Sequence, residues 1–155
     1  MARKMAIIAS KGTLDMAYPP FILASTAAAL DYEVQVFFTF YGLTLLRKDL
    51  ADVKLSPLAN PAMPMPMPIP VFAQALPGME AMATRMMKSK IRSKGVASLQ
   101  ELRSLCLEAG VRFIACQMTF DLFDFRTDDL IAEIEPGGAA TFLEFAGQSD
   151  ICLFI

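Results

Sequence analysis

The chain holds three cysteines, Cys106, Cys116 and Cys152, and no histidine. Without imidazole, Ser-His-Asp triads, Cys-His nucleophile pairs and histidine metal sites are excluded, and nothing in the spacing of Asp15, Asp121 and Asp124 marks a carboxylate pair, so the thiols are the leading candidates. Thiols react as thiolates, and their surroundings decide which one ionises. Cys116 closes the apolar run "VRFIAC" and is followed by "QMTFD", a polar step into a short helix. A thiol at the tip of a strand and the start of a helix has two readings, an inert packed side chain or a thiolate that the helix N-terminus favours. Cys106, in "SLQELRSLCLEAG", follows Leu102 by four and Leu99 by seven, on the stripe that an amphipathic helix buries. It is expected to be core. Cys152 lies mid-run in "ICLFI" and is also expected to be core.

The elements that must position Cys116 alternate between strand and helix periods. "KMAIIAS" (4–10), "EVQVFFTF" (33–40), "VRFIACQM" (111–118) and "ICLFI" (151–155) read as four strands, the last covered on both faces. Helices are predicted over 14–30, with Pro19 and Pro20 near the first turn or kinking it, over 42–53, 79–95 and 98–109, and in "GGAATFLEFA" (137–146). Ser98 with Glu101 three residues on is a capping box, Gly110 a stop, and Thr119 or Asp121 a cap for a short helix after the third strand. This rhythm predicts a three-layer, doubly wound α/β domain with a mostly parallel sheet, spanning 1–155 as one unit. Ligands gather at the carboxyl ends of such strands. "SKGTLD" after the first strand lacks the glycine spacing of a phosphate-binding loop, but it shares that edge. Ser10, Lys11 and Thr13, with Gln117 and Thr119, are therefore expected to line a pocket around Cys116.

A Cys106–Cys116 disulfide is not expected. The helix and the strand run antiparallel from Gly110, so at ~3.3 Å per strand residue Cys116 stands roughly 20 Å from the turn. Cys106, at ~1.5 Å per helix residue, stands roughly 6 Å from it, whereas a disulfide needs Cα atoms within about 7 Å.

Composition narrows the function classes further. Apolar residues make up 55% of 155 and charged residues 19%, so the chain has more apolar surface than one core hides, and a homo-oligomer is expected. A net charge of −2 leaves no basic stripe for nucleic acid. "MAIIAS" is too short for a leader core and the longest apolar runs are too short to span a bilayer, which predicts a cytoplasmic chain with peripheral membrane contact still open. Between the second and third strands an insertion, about 57–95, joins the Pro- and Met-rich "NPAMPMPMP" to an amphipathic helix with Met79, Met82, Met86 and Met87 on one face. Alternate prolines forbid helix interior or central strand and favour an extended arm, packed on its own domain or on a neighbour.

Taken together, "IIASKGTLDMAYPPFILASTAAALDYEVQVFFTFYGL", "NPAMPMPMP", "GVASLQELRSLCLEAGVRFIACQMTFDLF" and "GGAATFLEFA" resemble the DsrE/DsrF/DsrH-like sulfur-relay family, in its DsrE2-like branch. The resemblance implies a small Rossmann-like subunit that oligomerises, needs no cofactor or metal, and carries sulfane sulfur as a cysteine persulfide. It places the carrier at Cys116 and a second recurring cysteine at Cys106, and it implies TusA-like or rhodanese-like proteins as partners. Whether such a chain acts as a sulfurtransferase or as a carrier is left open by the resemblance. Two other classes stand beside this one: a thiol redox protein, which needs a resolving cysteine in reach of Cys116, and a non-catalytic interaction module built on the arm and the Met-rich helix. A nucleotide or flavin binder has no fingerprint to support it.

Overall fold

The computed structural model describes residues 1–57, 67 and 69–155, the Val71 side chain excepted. The extended arm expected from the prolines falls mostly on 58–66 and 68 and lies outside the described residues. In chain order the elements are β1 (Lys4–Ala9), α1 (Leu14–Ala29), β2 (Glu33–Phe38), a 3-10 helix (Phe40–Leu46), α2 (Val71–Gln74), α3 (Met79–Ser93), α4 (Leu99–Glu108), β3 (Arg112–Cys116), α5 (Gln117–Leu122), a 3-10 turn (Thr127–Asp129), β4 (Glu135–Gly137), α6 (Ala139–Ala146) and β5 (Ile151–Phe154). Among the described residues the strands form one sheet in the order β4-β3-β2-β1-β5, and every ladder is parallel. This is the α/β architecture that the sequence predicts. No helix among the described residues is long and apolar enough to cross a membrane.

Strand alternation sorts the side chains to two faces. Met5, Ile7, Ala9, Val34, Val36, Phe38, Phe113 and Ala115 pack beneath α1 and α4 with Ala17, Phe21, Ala24, Leu99 and Cys106. The alanines of α1 let that helix approach closely, and Phe21 reaches the rings of Phe38 and Phe113 at centroid distances of 5.9 and 5.8 Å. Pro19 and Pro20 sit inside α1, one turn later than expected, and the helix runs on through them. On the other face Ala6, Phe37, Ile114 and Cys116 meet α6 through Phe142 and Phe145. The Phe37 and Phe142 rings stack at 5.0 Å. The capping box at Ser98 forms as read from sequence: Glu101 N–H donates to Ser98 Oγ at 3.2 Å and Ser98 N–H to Glu101 Oε2 at 2.6 Å.

Several expectations are corrected. The helix predicted over 42–53 is a 3-10 helix ending at Leu46, with irregular chain after it. Its path is set by tertiary contacts. A side chain at Gly42 would collide with the Ala9 carbonyl, so the segment is pressed onto the end of β1. The guanidinium of Arg103, buried and projecting from α4, donates to the carbonyls of Leu45 at 2.9 Å, Arg47, and Lys48 at 3.2 Å. Those are bonds that a continuing helix would have made for itself. Strand β4 was not foreseen, being three residues long with Pro136 at its centre, which an edge strand tolerates. Arg112 fixes it in register by a forked pair to Glu135, Nε to Oε1 at 2.9 Å and Nη2 to Oε2 at 2.6 Å. The last strand is an edge, not a strand covered on both faces: Ile151, Cys152 and Phe154 are exposed, so Cys152 is not core. The strands predicted over 33–40 and 111–118 end two residues early, at Phe38 and Cys116. On α3, Met82 and Met86 face solvent in this chain, and Thr84 is the residue it buries fully.

Candidate functional site

Cys116 is both the last residue of β3 and the N-cap of α5, with φ −64° and ψ 113°. The expected caps, Thr119 and Asp121, do not serve. Cys116 lies on the sheet face covered by α6, level with Gly137 of β4 on one side. On the other side the β2–β3 register, carried one residue past Phe38–Ala115, sets Thr39 level with it. Strands lie about 4.8 Å apart, so Thr39, Cys116 and Gly137 make one row across the carboxyl edge. Cys116 is 5% exposed: the sulfur is recessed below the edge and not displayed on it.

The recess is polar on the Thr39 side. Thr119, fully buried, turns its hydroxyl inward, where it accepts the Phe40 N–H at 2.9 Å and stands 3.3 Å from Thr39 Oγ1. Burial alone would raise the Cys116 thiol. The polar groups around it, the Thr119 hydroxyl and N–H, the Thr39 hydroxyl and the Met118 N–H, favour the thiolate, outweigh that penalty and hold the thiol below its ordinary value. Cys106 has the opposite setting. It is completely buried, its thiol donates to the Phe21 carbonyl at 3.3 Å, and burial pushes it up to about 12. It packs with the α1–α4 core while Cys116 packs with the α6 core, so the sheet itself stands between the two free thiols.

The other predicted pocket residues scatter. Ser10 follows β1 by one residue but turns away from Cys116, its hydroxyl donating to the Ile155 carbonyl at 3.0 Å. Lys11 is exposed and is not among the groups acting on the thiol. Thr13 is the N-cap of α1, with no side-chain bond in that role. Gln117 is exposed beside Cys116 and donates through Nε2 to Asp121 Oδ1 at 2.9 Å. Only Gln117 and Thr119 keep company with Cys116, and of these Thr119 alone acts on the sulfur. Sequence reasoning missed Thr39 and the rim above it. Thr39 was readable only by knowing which strand neighbours β3.

That rim is aromatic and exposed. Phe40, Tyr41, Met118, Leu122 and Phe123 all face solvent, with Phe123 stacked on Tyr41 at 5.8 Å and edge-on to Phe40 at 6.1 Å. Phe40 itself has φ 48°, a left-handed backbone that a bulky residue rarely adopts. A separate cleft of about 690 Å³ between α1, α3 and α4 contains neither Cys116 nor any of the expected pocket residues. The arrangement at Cys116 can stabilise an anionic sulfur, keep it from bulk solvent, and offer an apolar surface for whatever approaches it.

Comparison with known proteins places this geometry. The chain is 64% identical to "Sulfur carrier protein DsrE2" of Allochromatium vinosum, over 99% of this chain and 98% of that one. It is 32% identical to "Uncharacterized protein YrkE" of Bacillus subtilis, over 99% and 97%. Among solved structures it is similar in fold to MTH1491 from Methanobacterium thermoautotrophicum, with a TM-score of 0.55 and 14% identity, and to the ychN protein from E. coli, with a TM-score of 0.53 and 12% identity, each pair covering 99% of both chains. The model of the DsrE/DsrF/DrsH-like family matches residues 1–154. The chain belongs to the DsrE/DsrF/DrsH-like family.

Proposed function

We propose that this protein relays sulfur, taking up sulfane sulfur as a persulfide on Cys116 and delivering it to the thiol of an acceptor protein. The observation that carries this reading is the Cys116 thiol held below its ordinary value by hydrogen bonds at the carboxyl edge of the sheet, in a chain 64% identical to a named sulfur carrier. The thiolate attacks the outer sulfur of a donor; an S–S bond forms on Cys116 as the donor's own bond to that sulfur breaks. With thiosulfate the donor leaves as sulfite, and with a persulfidated protein it leaves as a thiolate. In the second half the acceptor thiolate attacks the outer sulfur and Cys116 departs as thiolate. No electrons are gained or lost overall. TusA-like and rhodanese-like proteins fit as partners because both present sulfur on a cysteine. Such partners fit a cytoplasmic site of action.

The redox alternative lacks a resolving thiol within the chain: Cys106 lies across the sheet, and Cys152 sits on β5, three strands from β3. The protein works, in this reading, as a homo-oligomer, since Leu143, Ile151 and Phe154 leave apolar surface open around the β5 edge. Incubating the loaded protein with a reduced TusA-like acceptor tests the relay. Movement of one labelled sulfur atom from Cys116 to the acceptor thiol is expected; retention of all label on this chain would overturn the delivery step.

A further inference from the structure

Thr119 is fully buried, and its hydroxyl oxygen is held by two partners. The Phe40 N–H supplies one donor to Thr119 Oγ1 at 2.9 Å, and Thr39 Oγ1 stands at 3.3 Å. Two hydroxyls bring two hydrogens, and the contact between them uses one. At least one hydrogen is therefore left over, beside Cys116, which stands level with Thr39 in the sheet and three residues before Thr119. While Cys116 is a thiol, its own S–H can point at a hydroxyl oxygen; once the proton leaves, the spare hydroxyl hydrogen turns onto the sulfur. The Phe40 amide, already donating to Thr119, polarises that hydroxyl in the same direction. Phe40 reaches this position with φ 48°, and strain of this kind persists where the surroundings over-determine it.

We propose that Thr39 and Thr119, with the strained Phe40 amide behind them, form a hydroxyl cradle that donates to the Cys116 sulfur whenever it is anionic, first as the attacking thiolate and later as the thiolate that departs when the persulfide's outer sulfur is passed on. In this proposal Thr39, level with Cys116 in the sheet, and Thr119, three residues after it, act on the reacting sulfur directly, whereas Phe40 acts through Thr119 and is a positioning residue. The departing thiolate rests on the sulfur-relay reading, whereas the cradling of the free thiolate stands without it.

The test follows the rate of iodoacetamide alkylation at Cys116 against pH, resolved by peptide mass spectrometry so that exposed Cys152 is counted separately. Thr119→Val and Thr39→Val remove the hydroxyls at constant shape, and each is expected to move the alkylation midpoint up by roughly one pH unit. Thr119→Ser keeps the hydroxyl, loses the methyl and is expected to stay at the wild-type midpoint. If both valine variants titrate with the wild type, or if Thr119→Ser shifts as far as Thr119→Val, the cradle is wrong and the threonines only tie the 3-10 helix to α5. Should Thr119→Val fail to fold, Thr39→Val decides, because Thr39 is half-buried and a valine there displaces nothing. Failure of the relay reading looks different: no sulfur uptake from thiosulfate or polysulfide, with the midpoints still ordered as above.

Discussion

Two cysteines ten residues apart carry opposite chemistry because the sheet stands between them: Cys106, on α4, packs in the α1–α4 core, and Cys116, at the end of β3, packs on the face covered by α6. At Cys116 the polar groups of Thr119, Thr39 and Met118 outweigh burial and favour the thiolate; at Cys106 burial outweighs the opposing effect of Ser25. The signs of the pH dependence follow. A depressed thiol gives its stabilisation above the unfolded value and loses it as pH falls through the folded one, so alkylation of Cys116 is expected to begin at lower pH than that of an ordinary free cysteine. Cys106 behaves in reverse. Its folded value of about 12 lies above the ordinary 9.0, so the stability it contributes is whole below about 9 and is lost as pH rises toward 12. Denaturant titrations of Cys106→Ala should therefore show a shallower loss of stability between pH 9 and 12 than the wild type, after a small cavity cost of about 1 kcal/mol at neutral pH. A wild-type slope unchanged by the substitution would remove Cys106 from that titration.

The strands and helices that hold these residues were legible where a period and a cap coincided. The α4 capping box, its stop at Gly110 with φ 79°, and the apolar strands β1, β2 and β3 all follow from local sequence. What could not be read was set by distant contacts. The 42–53 segment has helical spacing, yet Arg103, far along the chain, takes over the carbonyls of Leu45, Arg47 and Lys48. Arg103→Met should lower stability by about 3 kcal/mol, since one buried and two partly buried carbonyls lose their donor. Arg103→Lys should not restore it, because an ammonium cannot fork to three acceptors. Equal melting temperatures for Arg103→Met and the wild type would show that the buried guanidinium holds nothing in place. Gly42→Ala meets the Ala9 carbonyl and should cost more than the ~1 kcal/mol that glycine-to-alanine exchanges usually span. The site was half-legible for the same reason. Cys116 and Thr119 are neighbours in sequence, but Thr39 joins them only through the order β3-β2-β1, and Ser10 was lost to the site because β5 pairs beside β1 and claims its hydroxyl.

At the scale of the molecule the sheet is unevenly covered. The α1–α4 face is a full core, whereas the other is covered by α6 and leaves Phe154 and Leu143 exposed toward the β5 edge. A parallel sheet is normally covered on both faces, and this exposed apolar edge is the surface that the proposed homo-oligomer would cover. Sedimentation of Phe154→Lys against the wild type should show a smaller species for the variant if that edge is the contact; identical sedimentation would place the contact elsewhere or show a monomer. The aromatic rim of Phe40, Tyr41 and Phe123 lies exposed at the carboxyl edge of the sheet, while the Cys116 sulfur sits recessed at 5% exposure, so a donor or acceptor has to reach below that edge to meet it. The most direct measurement of the central claim is intact-protein mass spectrometry of the reduced protein after exposure to thiosulfate, polysulfide or a persulfidated TusA-like partner, for wild type, Cys116→Ser and Cys106→Ser. The account expects a gain of one sulfur atom in the wild type and in Cys106→Ser and none in Cys116→Ser. Sulfur still gained by Cys116→Ser, or gained by no form with any donor while the thiols stay free, would contradict it.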